Sequence, residues 1–203
     1  MGFATVARRA EHEDVIKASR FLALALPLPA SDGLEPLLAE RRAAYSAASH
    51  HVWAMRWGEL VRFSDDGEPG GTAGRPVLEV LLKRDLDRVG VVVTRFFGGT
   101  KLGAGGLARA YAGAAARALD AAGVRRVEDR ERWRVRLPYA AVDVVLRHAA
   151  DDAAVDRVDT DYDAAGALVT IDLRSDAAER WRRALADLTR GQARLVERFE
   201  LDG

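Results

Sequence analysis

Nine of the 18 glycines stand at positions 67, 70, 71, 74, 98, 99, 103, 105 and 106, within two stretches, RFSDDGEPGGTAGR over 62–75 and GGTKLGAGG over 98–106. Glycine costs about 0.5–1 kcal/mol in a regular element, so such clustering marks backbone that must turn left-handed or approach a ligand closely. The second stretch lies between a β-branched run, VGVVVTRFF, and an alanine-rich one, LARAYAGAAARAL. That spacing predicts a loop from a buried strand into a helix N-terminus. The amides of Gly98, Gly99, Thr100, Gly103, Gly105 and Gly106, with the helix dipole, would bind a phosphate or carboxylate, and Lys101 and Arg109 would add charge. Lys101 is one of only three lysines against 28 arginines. A compact ammonium on a thin stem suits a crowded glycine turn better than a guanidinium fork. The competing reading is that the glycines only turn the chain and Lys101 is solvated. No G-x-x-x-x-G-K-[ST] occurs, and the G-x-G-x-x-A match at Gly103, Gly105 and Ala108 lacks the acidic strand end of a dinucleotide site.

The first stretch offers Asp65, Asp66 and Glu68 beside Thr72, Gly74 and Arg75. Clustered carboxylates can hold magnesium, usually with substrate phosphates. They can equally bond backbone amides in the turns that Asp-Gly favours, and without a partner histidine that structural role is preferred. His50 and His51 open an aromatic run, HVWAMRW. Neighbours on a strand face opposite ways, so the two cannot form one metal pair, and His50 alone is kept as a candidate site residue. The chain has no cysteine, which excludes disulfides, thiolate zinc and a cysteine nucleophile together.

The elements that would position these residues follow from periodicity. Ala4–Ala10 and Ser19–Leu28 read as strands. Asp32 with Glu35 reads as a reciprocal cap for a helix running to about Tyr45. His51–Trp57 is a strand, 62–75 is irregular, Pro76–Lys83 is helical, Val89–Phe97 is a buried strand, and Leu107–Ala122 is a helix stopped by Gly123. RRVEDRE at 125–131 holds one apolar residue and is taken as a domain boundary, giving domains 1–128 and 129–203. Beyond it the order is strand, helix, strand, strand, helix, strand, the split βαβ, ferredoxin-like order.

At 203 residues and 49% hydrophobic content the chain can bury two cores, and 31 basic against 31 acidic side chains give no net charge. That excludes a supercharged nucleic-acid arm. By position, residues 1–128 carry +3 and residues 129–203 carry −3. No acid stands between Asp87 and Asp120, where Arg88, Arg95, Lys101, Arg109 and Arg117 make a locally positive segment. Asp151–Asp163 holds six aspartates and one arginine, a stretch that would repel nucleic acid. The longest apolar run, Phe21–Ala30, is too short for a membrane span of about 20 residues. No signal-peptide pattern opens the chain, so a cytoplasmic protein with no membrane partner is expected.

The segments SDDGEPGGTAGRPVLEVL (64–81) and VVVTRFFGGTKLGAGGLARAYAGA (91–114) carry a specific resemblance to the YigZ/IMPACT family, with echoes in KASRF (17–21) and ASH (48–50). The resemblance implies an α+β protein of two domains. The first would be like ribosomal protein S5 domain 2, a left-handed βαβ arrangement. The second would be ferredoxin-like, resembling the last domain of elongation factor G. It also implies a link to translational control, which in eukaryotic members works through a partner of an initiation-factor kinase and an additional N-terminal domain. The leading expectation is an RNA- or ribosome-associated protein with an anion-binding cleft formed by 64–75 and 98–109. A magnesium-dependent phosphoryl-transfer or nucleotide-hydrolysing enzyme is the alternative, and a protein-interaction module with an unknown partner is the third.

Overall fold

A computed structural model describes residues 2–201. Contacts divide the described residues into one compact unit over Ala4–Arg126 and another that joins residues 2–3 to those from Val127 onward. The first contains strands β1 (Phe3–Val6), β2 (Ala10–Ile16) and β3 (Ser19–Pro27), helix α1 (Leu34–Ala44), and strands β4 (His50–Trp57) and β5 (Leu60–Ser64). Helix α2 (Gly74–Lys83), strand β6 (Val89–Phe96), helix α3 (Ala104–Ala122) and strand β7 (Val124–Val127) follow. Strands β2-β3-β6-β4-β5 form one sheet in that order, with every neighbour antiparallel. β3 and β4 therefore run parallel with β6 between them.

Strict alternation assigns the two faces of this sheet. Phe21, Ala23, Ala25, Val52, Ala54, Val89, Val91 and Val93 pack with α2 and α3. Leu24, Met55 and Val92 point the other way and pack with Leu34 and Leu37 of α1. Helix α3 presents Ala110, Ala114, Ala115, Ala118 and Ala122 to the sheet. These small side chains let the helix lie close to the strands.

The structure corrects three expectations. Ala4–Ala10 is not one strand: β1 stops at Val6, and the charged AEHEDVI begins β2 at Ala10, a strand because it is the sheet's edge and only alternate residues are partly buried. β5 occupies part of the stretch expected to be irregular; Gly58 (φ 57°) and Glu59 close a two-residue hairpin onto β4, and the edge leaves Leu60, Val61 and Phe63 exposed. Helix α1 begins after Gly33 with no side-chain cap, the Asp32 carbonyl accepting from the Glu35 amide in place of a reciprocal box. The polar 125–131 stretch, within which the division between the two units falls, is mostly strand, since β7 pairs with β1 and the next strand starts at Arg130.

The second unit holds β8 (Arg130–Leu137), α4 (Tyr139–Ala150), β9 (Val155–Asp163), β10 (Gly166–Arg174), a 3-10 turn at Ser175–Ala177, α5 (Ala178–Leu188) and β11 (Arg194–Leu201). Its sheet order is β11-β8-β10-β9, again antiparallel throughout. Trp133, Val135, Leu137, Val169 and Ile171 face Val142, Val145, Trp181 and Leu185 of the two helices. The opposite face carries Arg132 and Arg134 of β8, paired with Asp172 and Glu197. The aspartate run is largely neutralised too: Asp156 pairs with Arg130, Asp159 with Arg157, Asp163 with Arg136, and Asp152 with Arg180.

Asp152 has a measurable consequence. Its carboxylate accepts from Arg180 at 2.6 Å, from Trp181 Nε1 at 2.8 Å and from the Ala154 amide at 2.9 Å. The Arg180 hydrogen bond, above all, holds its carboxyl at about 2 against an ordinary 3.8. A depressed carboxyl stabilises the fold above its unfolded pKa and ceases to do so as pH falls through the folded one. About 2 kcal/mol should therefore be present above roughly pH 4 and lost toward pH 2. Asp152→Asn should lower stability at neutral pH by about that amount and flatten the acid limb of a circular-dichroism titration. An acid limb identical to the parent's would contradict this assignment.

Candidate functional site

The second glycine stretch begins at Gly98, two residues past the end of β6, and enters α3 at Ala104, so Gly105 and Gly106 belong to the helix's first turn and not to the loop. Gly98 is required sterically: a Cβ there would lie 2.0 Å from the Ala18 carbonyl carbon. That approach lets the Gly98 amide donate to Ser19 Oγ at 3.1 Å. Gly103 stands at the helix entry with φ 71°, a left-handed conformation that favours glycine. Helix α3 has no side-chain N-cap and no acidic residue in its first turn. Among the described residues no side chain therefore caps its first amides, which stand at the positive end of its dipole.

Around this helix start lies a cleft of about 300 Å³, with Lys101, Leu102, Gly103, Ala104 and Leu107 on one side and Glu68, Pro69, Arg95 and Phe97 on the other. Of the cations in the acid-free segment, Arg95 pairs with Glu68 and Arg117 with Asp14. No carboxylate pairs with Lys101 or Arg109 among the described residues. Arg109 is exposed outside the cleft, and its guanidinium lies back over Gly105, 3.7 Å from where a Cβ would stand. Unneutralised positive charge is thereby gathered at the start of α3.

The first glycine stretch contributes Glu68 and Pro69 to the cleft, and Glu68 is its one carboxylate there. Asp65 instead ties its own loop, accepting from the amides of Gly71 (2.7 Å), Gly74 (2.8 Å) and Ala73 (3.0 Å). Asp66 accepts from the His51 amide at 2.6 Å and from Arg42 at 2.7 Å. The Thr72 hydroxyl donates to the Pro69 carbonyl, and Arg75 pairs with Glu79 one turn on in α2. A Cβ at Gly74 would meet the Ser64 carbonyl, so that residue packs backbone on backbone. These carboxylates do not fit magnesium: each is already turned onto an amide, a hydroxyl or a guanidinium. No group of three or more metal-ligating side chains exists among the described residues.

Glu68 is the centre of a buried network. Its Oε1 accepts from Arg95 Nη1 at 2.5 Å and from the Tyr111 hydroxyl at 2.7 Å. Burial, and then this hydrogen bond, push the Tyr111 phenol far above its ordinary range, so it stays protonated as a donor. His50 Nδ1 lies 2.8 Å from the Asp66 carbonyl oxygen, which can only accept, so Nδ1 carries the proton. His50 Nε2 then faces Glu68 Oε1 at 3.9 Å. His51 is separate from the cleft network; buried beside Thr94, its imidazole pKa is lowered by desolvation.

Arg95 is only 4% exposed. Its Nη2 reaches Ser19 Oγ at 3.3 Å, and its guanidinium lies over the rings of Phe21 and Phe97 at 5.3 and 5.5 Å. Its Nε has no hydrogen-bond partner among the described residues. Arg95, Phe97, Tyr111 and Ser19 were not among the candidate site residues from sequence. The one available signal was an arginine inside the otherwise apolar run VVVTRFF, which needs a buried anion that only folding supplies.

Comparison with known proteins follows from residues 17–119, which match the family model described as Impact N-terminal domain and span both glycine stretches. An IMPACT family member from Thermus thermophilus is 46% identical over 128 residues, covering 63% of this chain and 70% of the relative. IMPACT family member YigZ of Escherichia coli is 32% identical over 192 residues, 89% of this chain and 90% of its own length. A crystal structure of a hypothetical protein, 28% identical, superposes with a TM-score of 0.67 over 96% of both chains.

Proposed function

We infer, from the premise that this chain belongs to the IMPACT family, that it is a cytoplasmic, RNA- or ribosome-associated protein acting in the regulation of translation. Its point of contact is the cleft at the start of α3, which takes a phosphate. One observation carries this reading: an uncapped helix N-terminus has Lys101 and Arg109 unneutralised beside it and the buried Arg95 in the cleft wall. Helix amides plus fixed cations are how proteins hold phosphate without a metal. The two units support the same reading. Parallel strands with an antiparallel one between them, joined through α1, agree with an S5 domain 2-like first domain. The order β11-β8-β10-β9 under two helices agrees with a ferredoxin-like second one. The engaged carboxylates of Asp65, Asp66 and Glu68 give the magnesium-dependent enzyme less support.

Binding of structured RNA should weaken steeply as salt rises, because each phosphate contact releases a counterion. Lys101→Ala should weaken binding at every salt concentration and reduce the slope of log affinity against log salt by about 1. Fluorescence anisotropy across a salt series measures both. RNA binding that is absent, or indifferent to salt, would overturn the reading.

A further inference from the structure

We propose that the cleft takes single-stranded RNA, with one base stacked on Phe97 and the neighbouring backbone phosphate on Lys101 and the α3 N-terminus. The proposal rests on the reading that the cleft binds phosphate and names the form in which that phosphate arrives. Phe97 is a cleft-lining aromatic that is 49% exposed. The Arg95 guanidinium lies 5.5 Å from its ring centroid and orders the ring. A half-exposed, pre-positioned phenyl in one cleft with the unpaired Lys101 has no use for a bare phosphate ion. It is the pairing that recognises a splayed base and its backbone together.

Size and charge select among phosphate esters. A cleft of about 300 Å³ lies at the small end of ligand pockets and has room for one ring system. Pro69, Leu102 and Leu107 supply its apolar sides. A duplex keeps its bases stacked on one another and cannot offer a free face to Phe97. Arg109, folded back over Gly105, extends the positive charge along α3 beyond the cleft, where a second phosphate of a chain would lie and a mononucleotide has none. Arg95 borders the cleft from the core side, its guanidinium held by Glu68 and stacked on Phe97.

The test uses the full chain and fluorescence anisotropy with a short single-stranded RNA of mixed sequence, a blunt duplex of the same sequence, and adenosine monophosphate as competitor. Phe97→Ala should weaken single-strand binding about ten-fold with the salt slope unchanged, since stacking is not a counterion effect. Phe97→Trp should bind at least as well as the parent. Phe97→Leu, which keeps apolar bulk without a π face, should be as weak as Phe97→Ala, and it decides the matter if the alanine variant fails to fold. The duplex should bind more weakly and ignore all three changes. Parent-like binding by Phe97→Leu, a duplex bound as tightly as the single strand, or competition by the mononucleotide at equal concentration would each overturn the proposal while leaving salt-dependent RNA binding in place. Absence of any salt-dependent binding would overturn this proposal and the phosphate reading together.

Discussion

Replacing Glu68 with alanine should destabilise the Ala4–Arg126 unit by about 3–5 kcal/mol, the cost of leaving one member of a buried ion pair without its partner. Arg95 and Glu68 side chains are 5% and 4% exposed, and Glu68 Oε1 also accepts the Tyr111 hydroxyl. Truncation therefore strands a guanidinium whose Nε already lacks a partner and leaves a buried phenol with nothing to donate to. Glu68→Gln should cost less, because an amide oxygen still accepts both hydrogen bonds and only the charge is lost. Urea denaturation of the parent and both variants measures this. A loss below about 1 kcal/mol for Glu68→Ala would mean that Arg95 finds another anion or reaches water, and that the network does not hold the cleft wall in place.

The second large effect lies in the other unit, where Trp181→Ala should cost about 3–5 kcal/mol by opening a cavity that the sheet cannot close. Trp181 is fully buried against the β8 and β10 core residues, its Nε1 donates to Asp152, and its ring meets His148 at 4.9 Å between centroids. The alanine variant thus loses packing and frees one of the three donors that hold the Asp152 carboxylate. Calorimetric melting reports the loss. Combined with Asp152→Asn, the two effects should sum to less than their separate costs, because they share one hydrogen bond. Strict additivity would count against that bond.

Both glycine stretches, the helix that follows the second, and the alternation of the buried strands were legible in order and type. Glycine clustering and hydrophobic period are local signals; the left-handed backbone at Gly103 enforces glycine locally, whereas at Gly98 the close approach of Ala18, eighty residues earlier, does so. The edges were not legible. β2 and β5 lie at the two ends of one sheet, where half-exposed strands can be charged like 10–16 or follow a glycine hairpin like 60–64. Neither reads as buried structure before its neighbour is known. The strand inside the polar 125–131 boundary segment was hidden for the same reason, since β7 is a strand only by virtue of β1, more than a hundred residues earlier in the chain.

For the site, the residues by themselves determined that an uncapped helix start would follow a buried strand, with Lys101 and Arg109 beside it. Amide geometry, dipole and charge at that point come from fewer than a dozen consecutive residues. What only the tertiary structure decided was which carboxylates are spent and which face the cleft. Asp65, Asp66 and Glu68 are alike and adjacent in the chain, yet the first two tie the loop and His51 while Glu68 reaches across to Arg95 and Tyr111, 27 and 43 residues away. The physical reason is desolvation. A carboxylate is driven to whatever donors burial leaves without water, and those donors are brought together by sheet pairing and helix packing.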